Sequence, residues 1–105
     1  LSQTKKVNKD KNIILLIDIL SNKNQTSKSS SGKVLEYKIT LNAKIEIKDS
    51  SNNTTVLNEV FSRSSSYKVQ SQYSETLKLE NTSTENLINQ IYQELLIKFA
   101  QKYDS

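Results

Sequence analysis

Residues 35–48 read LEYKITLNAKIEIK, and the alternation in this stretch decides the fold. Leu35, Tyr37, Ile39, Leu41, Ala43, Ile45 and Ile47 fall on one parity; Glu36, Lys38, Thr40, Asn42, Lys44, Glu46 and Lys48 fall on the other. Successive side chains of a strand point to opposite faces, so the pattern predicts a strand with one dry and one wet face. A helix would scatter the same residues around its circumference. At ~3.3 Å per residue the strand is long enough to twist or bend strongly. On its wet face Glu36 and Glu46 stand among Lys38, Lys44 and Lys48, which reads as cross-strand charge pairing.

Working outward, residues 49–53 (DSSNN) are turn formers and join this strand to a partner over residues 54–68. The partner's pattern changes parity: Val56 and Val60 share one, Leu57 and Phe61 the other. A bulge, or burial of both faces near Val60 and Phe61, is expected. Residues 62–68 are polar and are expected to run past the core. On the N-terminal side, residues 12–20 (NIILLIDIL) form a near-continuous apolar run, expected to be a strand buried on both faces, with a short buried helix as the alternative, and with Asp18 at a wet end or facing solvent. Residues 21–33 (SNKNQTSKSSSGK) hold the only glycine, Gly32, and are expected to be a long mobile loop. Residues 1–11 read as a frayed start or a connecting loop.

Residues 69–81 fit no pattern and read either as a loop or as the irregular start of a helix. From Thr82 the period becomes helical. Thr82, Ser83, Thr84 and Glu85 match a capping box. Leu87, Ile88, Ile91, Tyr92, Leu95, Leu96, Phe99 and Tyr103 then form one apolar stripe, with Asn89, Gln90, Gln93, Glu94 and Lys98 on the opposite side. The sheet's single dry face and the helix's single stripe are natural partners. The expected architecture is therefore α+β: a short antiparallel or mixed sheet of about three strands under one C-terminal amphipathic helix, in a single domain.

The 105 residues suffice for one domain. Hydrophobic residues make up 34%, and the net charge is +4. Lys, Asn and Ile are abundant together, so the basic balance reads first as compositional bias; a functional reading is attraction to polyanions. The lysines are dispersed among acids and Arg63 is the only arginine, unlike the clustered charge and aromatic platforms of nucleic-acid readers. No apolar run approaches the ~20 residues that span a bilayer. The chain opens on Leu1 without an initiator methionine and is expected to begin inside a longer gene product.

Chemistry-bearing residues are few. With no His and no Cys in the sequence, Ser–His and Cys–His nucleophile systems and thiolate metal sites are excluded within the chain. One glycine cannot build a P-loop or a dinucleotide fingerprint. Residues 52–54 (NNT) and 81–83 (NTS) match the glycosylation pattern, a weak signal alone. No cofactor is implied. Tyr37 and Tyr92 lie in core patterns and read as packing residues. Tyr67 and Tyr73 lie in polar surroundings and, with Arg63, read as candidate partner-interface residues.

The order of these elements resembles the C-terminal two-thirds of the LPS-assembly lipoprotein (LptE) family. The likeness covers about residues 12–99. It is carried by the first strand, the Gly32-containing polar loop, Glu36-Tyr37 opening the long strand, Val60-Phe61 in the returning strand, and a terminal helix ending Glu94-Leu95-Leu96-Ile97-Lys98-Phe99. The resemblance implies a lipoprotein on the periplasmic face of the outer membrane, a mixed sheet covered by two helices, a place as a plug inside an LptD-type β-barrel, and binding of lipopolysaccharide. It implies no enzymatic activity and no nucleic-acid partner, and membrane association only through an N-terminal lipid anchor. Its basic contacts with lipid phosphates, near the loop before the long strand and before the last helix, fall here on Lys28 and Lys33 and on Lys68 and Lys78. Two departures stand beside the likeness. The lipid-bearing cysteine and the family's first strand and helix are absent from these residues, and no arginine occurs in the loop. The alternative from another class is a periplasmic or surface protein-interaction module without lipid binding.

Overall fold

The computed structural model describes residues 2–6, as backbone, and 12–103. Four strands, β1 (Ser2–Lys6), β2 (Ile13–Lys28), β3 (Val34–Asp49) and β4 (Thr54–Lys68), precede one helix, α1 (Tyr73–Tyr103). The strands pair antiparallel in chain order, β1-β2-β3-β4, and α1 lies along one face over β3 and β4. The fold is α+β, as the patterning predicts. Its sheet has one strand more than expected: residues 2–6, read as a frayed or connecting start, pair with β2, while residues 7–11 lie outside the described residues.

The alternation of β3 holds in three dimensions. Ile39, Leu41, Ala43, Ile45 and Ile47 are buried; Leu35, at the start, is exposed. They form the core with Leu57, Phe61 and Tyr67 of β4 beneath Leu87, Ile91 and Leu95 of α1. Complete burial of side chains this large contributes about 1.5–3 kcal/mol each before entropy is subtracted.

The polar stretch 21–33 is mostly strand. β2 continues to Lys28, with Ser21 opposite Leu41, Lys23 opposite Ile39 and Gln25 opposite Tyr37. The reason is that β3 offers a full-length row of backbone donors and acceptors, and strand pairing through the backbone does not require apolar side chains. Only residues 29–33 turn. Gly32 N–H donates to Ser29 O at 2.9 Å, and Gly32 takes the left-handed φ of 88° that a residue without Cβ adopts freely. The apolar run of β2 is less covered than expected: Ile13 is buried, Leu15, Ile17 and Ile19 are half-buried and Leu20 is exposed, because α1 rides over the other half of the sheet.

In β4 the register shift lies lower than expected. Ile47 faces Leu57 and Lys48 faces Thr55, so Val56 is the extra residue, not Val60 or Phe61. Beyond it Leu57, Phe61 and Tyr67 share the dry side. Residues 62–68 do not run past the core: they pair with β3 from Asn42 to Glu36, and Tyr67 is a core residue.

The helix starts at Tyr73, so residues 82–85 are mid-helix and not a capping box. Thr84 Oγ1 donates back to Glu80 O at 2.9 Å, which satisfies the hydroxyl inside a helix and leaves the local sequence looking like a start. The start itself is built at Gln72, whose carbonyl accepts from Glu75 N and Thr76 N at 3.1 and 3.3 Å, and by Thr76 Oγ1, which accepts from Gln70 N at 2.7 Å. The apolar stripe is split. Leu87, Ile91 and Leu95 are buried, whereas Ile88, Leu96 and Tyr92 are exposed, Tyr92 by 56%. Tyr92, expected in the core, instead borders a 240 Å³ trough shared with Ile13, Leu15 and Phe99. Glu94 and Lys98, expected on the solvent side, reach over β4: Arg63 Nη2 lies 2.7 Å from Glu94 Oε2, and Lys98 Nζ lies 3.9 Å from Glu59 Oε1.

Candidate functional site

At the end of the sheet where β2 turns into β3 and β4 leads into α1, four segments converge. β2 brings Lys23, the turn brings Lys33, β3 brings Tyr37, and residues 69–80 bring Gln70, Tyr73, Thr76 and Glu80. They line an open cleft of 380 Å³. Register explains the meeting: Lys23 lies opposite Ile39 on the dry side, two pairs beyond Ser21 opposite Leu41 and four beyond Ile19 opposite Ala43.

A polar cluster ties the cleft together. Lys23 Nζ lies 2.8 Å from Glu80 Oε1, and the Tyr67 hydroxyl donates to the same oxygen at 2.5 Å. Lys23 also sits 4.4 Å from the centroid of the Tyr37 ring, a cation–π contact. The Tyr37 and Tyr67 rings stack with centroids 5.8 Å apart. These contacts set the ionisation. The hydrogen bond from Lys23, then that from Tyr67, holds the Glu80 carboxyl below the usual range. The bond to Glu80 holds Lys23 above its ordinary value. Burial, then the bond to Glu80, pushes the Tyr67 phenol up to about 12.

No protein-family model matches the chain, and no curated protein matches it. The site therefore rests on its own geometry. Of the sequence candidates, Lys33 and Tyr73 line the cleft, and Tyr73 is 79% exposed. Tyr67 lies beneath it, but as a core residue only 5% exposed whose hydroxyl is spent on Glu80; it is not the surface anchor expected. Arg63 lies further along β4, held by Glu94. Lys68 is opposite Glu36, on the sheet face away from the helix. Lys28 and Lys78 are exposed and do not line the cleft.

Lys23, Thr76 and Glu80 escape a reading of sequence because they fall in the stretches read as loop or left unassigned. One signal was present. Continuing the odd parity of Ile13, Leu15, Ile17 and Ile19 through Ser21 places Lys23 on the dry side. Chemically, the cleft offers two ammonium groups, aromatic faces and hydroxyls, a set suited to holding an anionic, partly apolar or sugar-bearing group. Among the described residues no three acidic side chains come together as metal ligands.

Proposed function

We propose that this chain is a non-enzymatic subunit of the outer-membrane lipopolysaccharide-assembly machinery, seated in an LptD-type β-barrel and contacting lipopolysaccharide through the cleft at the turn end of its sheet. The observation that carries the reading is the convergence of Lys33, Lys23, Tyr37 and Tyr73 in one open cleft. Lipid phosphates would be drawn by the ammonium groups, and sugar rings would lie against the tyrosine faces. Lys33 has no ion-pair partner among the described residues, so its charge is available. The elongated form, 60 × 21 × 20 Å, presents long polar sheet and helix surfaces to a surrounding wall. The lipoprotein anchor and the outer-membrane, periplasm-facing location belong to the same proposal.

Two measurements test it. The chain, expressed with its native upstream sequence and extracted from outer membranes, is expected to co-purify with a large β-barrel protein; recovery without one contradicts the reading. Lys33→Glu is expected to weaken lipopolysaccharide binding by roughly 3- to 10-fold, the equivalent of about 1 kcal/mol, and unchanged binding removes Lys33 from the site.

A second reading, a protein-interaction module without lipid binding, is favoured by a different observation. The trough beside Tyr92 and Leu96 is apolar and open, as protein-docking surfaces are. A barrel-free chain that captures no lipopolysaccharide would favour it.

A further inference from the structure

The helix is held to the sheet in two different ways. From Leu87 onward it is anchored by buried apolar side chains: Leu87, Ile91 and Leu95. From Tyr73 to Asn86 the only buried side chain is Thr76; Leu77 and Leu79 are exposed. The hydrogen bonds from this part of α1 to the strands run through one residue, Glu80, whose carboxylate accepts from Lys23 and Tyr67, while Thr76 Oγ1 accepts from Gln70 N in the segment leading into the helix. Glu80 also occupies, with an oxygen 2.8 Å from Lys23 Nζ, the place at which an incoming anion would meet that ammonium group. Both residues border the same cleft.

We propose that Glu80 is an internal competitor for the cleft: an anionic phosphate-bearing ligand displaces its carboxylate from Lys23, and the polar-held part of α1 loosens from the sheet as it does so. The inference rests on the reading of the cleft as an anion site and adds its regulation. With Glu80 in place, the carboxylate offsets one of the two ammonium groups. With Glu80 displaced, Lys23 and Lys33 together face the ligand, a disposition that favours a doubly charged or paired phosphate over a single one. The displacement is exchange, not loss. Lys23 trades one charge-assisted hydrogen bond for another, while Tyr67 and Thr76 give up contacts that water or the ligand can replace. Two polar contacts with the strands, both made by Glu80, hold this part of the helix, so moving it does not require opening the apolar core.

The test compares wild type with Glu80→Gln for binding to phosphatidylcholine vesicles carrying lipid A, and separately to inorganic pyrophosphate, with circular dichroism confirming the helix. The proposal expects Glu80→Gln to bind the vesicles roughly threefold or more tightly, and Lys23→Gln to abolish the gain in the double variant. Tyr67→Phe, which leaves both charges in place but removes one of the donors holding Glu80, is expected to show a smaller gain of the same sign. Amide exchange over residues 73–81 should rise in wild type on adding vesicles, while that over residues 87–95 stays fixed. A gain seen equally with pyrophosphate assigns the effect to phosphate alone; a gain with vesicles only assigns it to the lipid. Wild-type binding with no gain in either variant overturns the competitor and leaves the cleft reading standing. No binding by any variant overturns both.

Discussion

Glu80 is the residue on which most of the local chemistry turns. The hydrogen bonds from Lys23 and Tyr67 hold its carboxyl below the usual range, so its contribution to stability is present above the ordinary carboxylate value of about 4.3 and is lost as pH falls through its lower folded value. Lys23 and Tyr67 are shifted upward, so their contributions are present below their ordinary values and lost as pH rises, for Tyr67 between about 10 and about 12. The cluster is therefore intact across neutral pH and fails at both extremes. Acidification below about pH 4 is expected to speed amide exchange over residues 73–81 before residues 87–95 respond. Glu80→Gln should flatten that acid limb at a cost of about 1 kcal/mol or less, since Lys23 is largely exposed and solvent screens the pair. An acid response shared equally by the whole helix would contradict the division. Little of this chemistry is legible in the sequence. Lys33 and Tyr73 stand out in the sequence as a cation and an aromatic in polar surroundings. For Lys23 the one signal is the odd parity of β2, and Glu80 acquires meaning only through the helix start at Tyr73.

At the scale of elements, legibility follows the physical origin of each one. β3 was readable because burial imposes alternation on its side chains. The second half of β2 was not, because backbone pairing with β3 leaves no trace in a polar sequence. The helix is readable from Thr82 onward, where the apolar period begins, although residues 82–85 are mid-helix and not its start; residues 73–81, where contacts are polar, carry no pattern. The split of its apolar stripe gives a sharp expectation. Leu87→Ala, at a fully buried position, should cost about 2–5 kcal/mol in denaturant unfolding. Leu96→Ser, on the exposed flank, should cost within about 0.5 kcal/mol. Equal costs at the two positions would mean that the trough is covered in solution.

The whole molecule is a long, thin two-layer ribbon. Its radius of gyration is 18.0 Å, against about 13 Å for a compact domain of this length. That form separates two surfaces: the cationic cleft at the end bordered by Lys33 and Tyr73, and the apolar trough beside Tyr92 near the other end of the helix. The two readings, an anionic-glycolipid site and a protein-docking module without lipid, thus map to different ends of the molecule. Titrating the isotope-labelled chain with lipid A micelles and following backbone amide shifts separates them in one measurement. Shifts are expected to concentrate at Lys23, Lys33, Tyr73 and Thr76. Shifts confined to Leu15, Tyr92 and Leu96, or none at any lipid concentration, would contradict the anionic-glycolipid reading.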